Sequence, residues 1–511
     1  MEFHVLATRG VGGYRQYRIP GMGVTASGRI IAVYDGRPDL DDLPSPVDVV
    51  IRTSDDLGKS WSDQKVLFQS SGVMGYGDPS VIIDPTVGRH GRVIVMAQRT
   101  EIAGFFESTL GIDEGDPNIA QVVIAQSDDN GEMWSHRFIT DQVKDDKTPG
   151  IFATSGAGGR VTHGAHAGRL LHTFVLRQGD KLSSVLAYSD DHGDTWHLGA
   201  HIPGGNESAA VGLRDGSIVA HSRARPHRLV ARSSDGGITL DSLEPDLGLP
   251  DPSDNGSLMT LKNGDLIASH NHDSDLRRNT VVKKSRDGGK TWPLAVVLEE
   301  GSSSYSTAAE LSDGSIGVLF ERLGYTEMVF ARFTIVEFKP TEDVIKNQIN
   351  ANGIEFNIAL RYIRPGKKAV DRQFTDRKIP AVDMSVFGSS ERKEVGVPGG
   401  NASGEALYTR EELDELLGPI TPGLHEGNEL RWSGRLTNHS SEILTDVSIT
   451  NSFNNEALTH PQLLSKEKFV FLDCRQTISR SDSEKSHLEV VFFWSATKGG
   501  NRISGSFLQT L

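Results

Sequence analysis

SDDHGDTW, residues 189–196, packs three aspartates, a glycine and a tryptophan into one short stretch. Near-copies recur as SDDLGKSW from Ser54, SDDNGEMW from Ser127, SSDGGITL from Ser233 and SRDGGKTW from Ser285, the fourth of the five with Leu240 in place of Trp. Ser, Asp and Gly at these positions suit a tight turn: the carboxylate accepts from nearby backbone N–H groups and Gly permits positive φ. The Trp can then pack between sheets. A calcium loop is the alternative, but the EF-hand spacing and its final Glu are absent.

A second repeat runs beside the first. A glycine followed by a short apolar run appears at Gly28 (SGRIIAVY), Gly91 (HGRVIVMA), Gly168 (AGRLLHTF), Gly216 (DGSIVAHS), Gly264 (NGDLIASH) and Gly314 (DGSIGVLF). This is a hairpin signal. The six glycines are separated by 63, 77, 48, 48 and 50 residues. A period near 50 with hairpins and no helical pattern predicts an all-β, six-bladed β-propeller of four-stranded blades. Each of the first five hairpins is followed by one aspartate-containing turn, whereas the sixth is followed by EMVFARFTIVEF with none. The sixth blade is therefore expected to close the ring, with the N-terminal strand Phe3–Ala7 completing it.

In a blade, strand one runs down to the glycine hairpin and strand two runs back. The aspartate turns, between strands three and four, belong on the lower face. The upper ends of the inner strands are reached by counting from the glycines: back to Arg18, Asp78, Glu207, Asn255 and Tyr305, forward to Arg37, Arg223, Arg277 and Glu321. One such residue is ordinarily a solvated strand end. Several arginines, two glutamates and a tyrosine at matched positions form a candidate ring around one mouth. Arginine clusters bind carboxylates through planar, paired N–H donors.

YRIP near the start, the five aspartate turns, the arginine set and SSYS around Tyr305 together resemble the bacterial sialidases (neuraminidases) of the six-bladed propeller type with Asp boxes, over roughly residues 1–338. The resemblance implies an exo-α-sialidase, a glycoside hydrolase acting on sialylated glycans. It implies that Arg18, Arg223 and Arg277 grip the sialic acid carboxylate, with Arg278 adjacent to the third. Tyr305 would be the nucleophile, Glu207 its base, and Glu321 the support of Arg18. Arg37 and Asp78 would face the sugar's O4 region. Asp42 in PDLDDLP would be the acid/base, with Asp39, Asp41 and Asp48 nearby. Arginines around Tyr305 are expected to favour its phenolate. No metal or organic cofactor is implied. The competing readings are a lectin-like propeller that binds sialoglycans without cleaving them, and a trans-sialidase.

The remaining features bound the setting. A net charge of −15 argues against nucleic acid and anionic membranes as partners. No apolar run is long enough for a membrane helix. MEFHVLATRG lacks a signal-peptide pattern, which places the chain as written in the cytoplasm, or outside the cell if a leader has been removed. A single cysteine, Cys474, excludes an internal disulfide. His163, His166, His270 and His272 have loose metal-like spacing without a third ligand and read as loop histidines. The repeats stop near residue 340. Residues 339–352 read as a linker and 353–511 as a β-rich, immunoglobulin-like sandwich. Within it, strands are expected at EFNIALRYI and PAVDMSVFG and a short helix at YTREELDELLG.

Overall fold

The computed structural model describes residues 1–179, 181–345, 349–364, 408–417, 420–453, 457–485 and 487–511. The chain opens with two antiparallel four-stranded meanders. One runs through Gln16–Val24, Ile30–Arg37, Asp48–Ser54 and Lys65–Phe68, the next through Gly75–Asp84, Arg92–Thr100, Gln121–Ser127 and Ser135–Phe138. In the third sheet the inner strand is broken into Gly150–Ala153 and Gly159–Arg160, both pairing with Leu170–Gln178, and Lys181–Ser189 and His197–Pro203 follow. The fourth is Ser208–Gly212, Ile218–Ser222, His227–Ser233 and Ser242–Pro250.

The fifth and sixth sheets share one strand. Leu294–Glu310 pairs with Arg278–Ser285 through its first part and with Ile316–Arg322 through its second. Glu2–Thr8 lies antiparallel on Glu327–Phe333, so the N-terminus supplies the last strand of the sixth sheet. The inner strand Gln16–Val24 touches the inner strands of both the second and the sixth sheet. The apolar runs after the hairpin glycines are the second strands. Ile30, Ile31, Val93, Ile94, Ile218, Leu266, Ile267 and Ile316 are buried between sheets.

All six hairpin glycines have positive φ, between 77° and 103°. The five aspartate turns repeat one hydrogen-bond pattern. In the last, Ser285 Oγ accepts from Gly289 N at 2.9 Å, while Asp287 accepts from Lys290 N at 3.0 Å, Thr291 N at 2.9 Å and Thr291 Oγ1 at 2.6 Å. Trp196 and Trp292 are buried, and Leu240 packs against an apolar cluster in the position where the other turns carry Trp. Register fixes which end these turns occupy. Ile30 at the hairpin end pairs with Ser54, the start of the first turn, and Arg18 at the opposite end pairs with Asp35.

The described residues from 354 onward bury a separate apolar core. A three-stranded sheet (Ile354–Arg364, Glu429–Asn438, Lys468–Thr477) and a four-stranded one (Leu444–Asn451, Leu458–Leu463, Glu489–Lys498, Asn501–Thr510) both contribute to it. Trp432 and Phe492, one from each sheet, meet edge to face at 5.3 Å. The helix Arg410–Leu417 falls where the sequence predicts one; PAVDMSVFG lies outside the described residues. The stretch read as a linker carries a short strand, Lys339–Pro340, pairing with Leu294 and Ala295, and a helix, Thr341–Val344. Ion pairs join the two parts: Arg435 and Lys468 with Asp275, Arg410 with Asp48, and Arg15 with Asp414. Among the described residues no helix is long and apolar enough to cross a membrane.

Candidate active site

A cavity of about 310 Å³ opens at the end of the sheets opposite the aspartate turns. Seven of the residues singled out from sequence line it: Arg18, Asp42, Asp78, Glu207, Arg223, Arg277 and Tyr305. Three inner strands are bulged beside these residues, with register shifts between Arg18 and Gly21, Gly77 and Ser80, and Ser303 and Ser306. A bulge turns the chain and re-aims a side chain. Ile19 and Asp78 have φ of 62° and 56° at two of these bulges. Positive φ is strained for a β-branched residue, and Ile19 is held there by donating its N–H to Glu321 Oε1 at 2.7 Å.

Tyr305 is the centre of the cluster. Its hydroxyl donates to Glu207 Oε2 at 2.5 Å and accepts from Arg223 Nη1 at 2.5 Å. Arg223 also pairs with Glu207, and Ser155 donates to the other Glu207 oxygen at 3.1 Å. The guanidinium carbons of Arg18, Arg223 and Arg277 lie 5.2, 5.8 and 5.4 Å from the Tyr305 ring centre. Arg18 makes a two-pronged contact with Glu321, at 3.1 and 3.2 Å. Arg277 donates to the Tyr325 hydroxyl at 3.1 Å and sits over Asp254 at 3.6 Å. Arg278 turns away to the Glu300 carbonyl, so Arg277 is the third arginine of the cavity.

Burial pushes the Tyr305 phenol well up, and the arginines do not reverse it. The expected phenolate bias is therefore corrected: desolvation outweighs the guanidiniums and the phenol keeps its proton. Tyr325 behaves oppositely. Burial would raise it, but Arg277 and Arg18 outweigh that and hold it below its ordinary value. Arg18 stacks on its ring at 4.0 Å.

Arg37 does not line the cavity. It is 2% exposed and sits behind the wall, where Asp35 accepts from it at 2.7 and 3.0 Å. Its other end pairs with Asp42, whose side chain is 41% exposed. Asp48 is held by Tyr14 at 2.5 Å and by Arg410, and Asp39 caps the Asp41 N–H. Burial raises Asp35 to about 7 despite Arg37. Burial together with Asp35, Asp42 and Glu207 drives Asp78 well up. Asp78, half-buried in the cavity wall, is thereby biased toward its protonated form.

Some of the site escapes the counting from glycines. Asp35, two residues before Arg37 in YDGRP, and Asp254, next to Asn255, were within reach of a search for acids beside the arginines. Tyr325, in a turn of the sixth sheet, had no such signal. Nor did the cavity's lining by Leu360, Arg361 and Tyr362 of the C-terminal part. His270 is not a loop residue; it is buried in the strand Leu266–Asn271, and burial lowers it well below the usual imidazole range.

Residues 28–318 match the family model described as a BNR repeat-like domain. The chain is 37% identical over 336 residues to a sialidase of Micromonospora viridifaciens, covering 62% of this chain and 51% of that protein. It is 30% identical over 358 residues to a sialidase of Bacteroides fragilis, covering 65% and 63%. The chain thus spans between half and two thirds of these curated relatives. Among solved structures, the Hadza microbial sialidase Hz136 superposes with a TM-score of 0.57 at 26% identity, covering 63% of this chain and 66% of that one. The repeated turns, the β architecture and these likenesses lead to one assignment: the chain belongs to the BNR repeat-like family, and its likenesses within that family are to bacterial sialidases.

Proposed function

We propose that the chain is a retaining exo-α-sialidase that hydrolyses terminal sialic acid from glycoproteins, glycolipids or oligosaccharides. The observation that carries this reading is the Tyr305–Glu207 hydrogen bond inside a ring of three arginines. The arginines supply planar forks for the carboxylate on the anomeric carbon. A carboxylate nucleophile would approach against that charge; a protonated phenol does not. Sialidases depart from the two-carboxylate scheme by using a tyrosine nucleophile.

A neutral tyrosine is a weak nucleophile and needs a base within hydrogen-bond reach. Glu207 takes the phenol proton as Tyr305 attacks. Asp42, exposed at the mouth and steadied by Arg37, protonates the leaving oxygen and then activates water against the sialyl-tyrosine. Asp78 donates to the sugar, and Arg37 acts through Asp42. Glu321 keeps Arg18 in place. This scheme uses no metal and no organic cofactor.

The six sheets are read as blades of one closed propeller spanning residues 1–338, and the contacts of Gln16–Val24 with the sheets on both sides support closure. Residues 339–352 link it to a sandwich domain of immunoglobulin-like type, 353–511, and the separate core supports that division.

The test is covalent trapping. A fluorinated sialosyl fluoride slows both steps but leaves formation of the adduct faster than its breakdown. Mass spectrometry of the digested protein should place the adduct on the peptide containing Tyr305. A label on Glu207 or Asp42 would refute the nucleophile. Binding of sialic acid with neither label nor turnover would favour a lectin.

A further inference from the structure

We infer that the first strand of the C-terminal domain, Ile354–Arg364, is the leaving-group wall of the active site, and that Arg361 recognises the sugar to which sialic acid is attached. This rests on the sialidase reading above. Leu360, Arg361 and Tyr362 line the same cavity as Tyr305 and the three arginines, although they belong to the sheet whose core is separate.

The wall is fastened close to the chemistry. Leu360 N–H donates to Ser302 Oγ at 2.5 Å, three residues before Tyr305. A Cβ on Gly324 would come within 2.6 Å of Leu360 Cγ, so the strand lies directly on the turn that carries Tyr325. Farther along the rim, Arg435 pairs with Asp273 and Asp275, and Lys468 reaches Asp275 at 2.6 Å. Leu276 and Arg277 follow immediately and both line the cavity. The second domain is thus tied to the loop that presents the third arginine.

Position then assigns the role. Arg18, Arg223 and Tyr305 are all nearly buried, and they take the carboxylate end of the sugar at the floor. An exo-acting enzyme must direct the scissile bond outward, toward the more exposed Asp42 at the mouth. Lining residues away from the floor meet whatever leaves with that oxygen. The Tyr362 ring, itself mostly buried, braces two guanidiniums, Arg361 at 5.5 Å and Arg364 at 5.4 Å. Phe105, Phe106 and Phe152 line the same cavity. A braced fork of N–H donors in a cavity with aromatic faces suits a hexopyranose, which has hydroxyl edges and an apolar C–H face. A flat aryl leaving group offers only the second.

The experiment compares kcat/KM for sialyllactose and for an aryl sialoside in the full chain, Arg361→Ala and Arg361→Gln, with melting temperatures measured in parallel. Loss of hydrogen bonding from one charged donor should lower the sialyllactose-to-aryl ratio by about tenfold. An unchanged ratio in the folded variants overturns the inference, whether both rates fall together or neither falls. If Arg361→Ala does not fold, Arg361→Gln, which is shorter and uncharged and removes the guanidinium fork, decides. A wild-type chain that cleaves both substrates while its variants keep the ratio sinks only this inference. A wild-type chain that cleaves neither sinks the sialidase reading with it.

Discussion

Tyr305 and Glu207, 98 residues apart in the chain, share a 2.5 Å hydrogen bond at the bottom of the cavity. Each stands nine residues before a hairpin glycine, Gly314 and Gly216, so equivalent positions in two sheets deliver them to the same end. Glu207→Gln keeps the size of the side chain and removes the base. The phenol, held protonated by burial, then has no acceptor for its proton. Steady-state kinetics should show kcat lower by about 10²–10⁴-fold, the usual worth of a positioned base, with KM much less changed. A loss under about tenfold would show that Glu207 does not take that proton.

Asp42 carries a different expectation because its work depends on the leaving group. A poor leaving oxygen needs protonation in the transition state; an aryl oxide hardly does. Asp42→Ala should therefore lose far more activity on sialyllactose than on an aryl sialoside. Equal losses would return attention to Asp41, which also lines the cavity. Asp39 and Asp48 are the weaker alternatives, being committed to the Asp41 N–H and to Tyr14.

Glu321 connects the carboxylate grip to the fold. It is fully buried and accepts from Arg18, from Ile19 N and from Tyr305 N at 3.1 Å. Removing one partner of a buried pair leaves the other charge uncompensated, at a cost of about 3–5 kcal/mol. Glu321→Ala should lower the melting temperature markedly and raise KM for sialosides, since Arg18 loses its brace. Arg18→Lys keeps a charge and loses the fork, so it should raise KM with a smaller change in stability. A Glu321→Ala protein with wild-type KM would detach this acid from substrate binding.

The repeats made the six sheets and the lower-face turns readable, because hairpin glycines and aspartate turns follow local backbone chemistry. The inner-strand residues were readable for a related reason: equivalent positions in repeated sheets point to the same end. What counting could not reach depends on contacts between distant segments. Tyr325 enters the site from a turn, and Arg37 is withdrawn behind Asp42 by Asp35. Leu360 to Tyr362 arrive from a sheet outside the repeats. The protonation of Tyr305 was misjudged for the same reason: charges can be read from sequence, but the burial that outweighs them cannot.

The aspartate turns give the last prediction, on stability and pH. Asp56 and Asp287 accept hydrogen bonds from the backbone and hydroxyls of their own turns, and these bonds hold both carboxyls down to about 2. The ordinary value is 3.8, so folding favours their ionised form. Stability from these groups is present above pH 3.8 and is lost as pH falls through about 2. Asp287→Asn keeps one acceptor and removes the charge. It should melt a few degrees below wild type at pH 6, by about 1 kcal/mol for weakened turn hydrogen bonds. That gap should narrow as both proteins are taken toward pH 2, where the wild-type carboxyl is protonated too. Because the turn lies at the end of the sheets opposite the cavity, kcat/KM at pH 6 should stay at the wild-type value. A gap that is constant across the pH range would show that the charge of Asp287 contributes nothing; a fall in kcat/KM would show that the turns are coupled to the site.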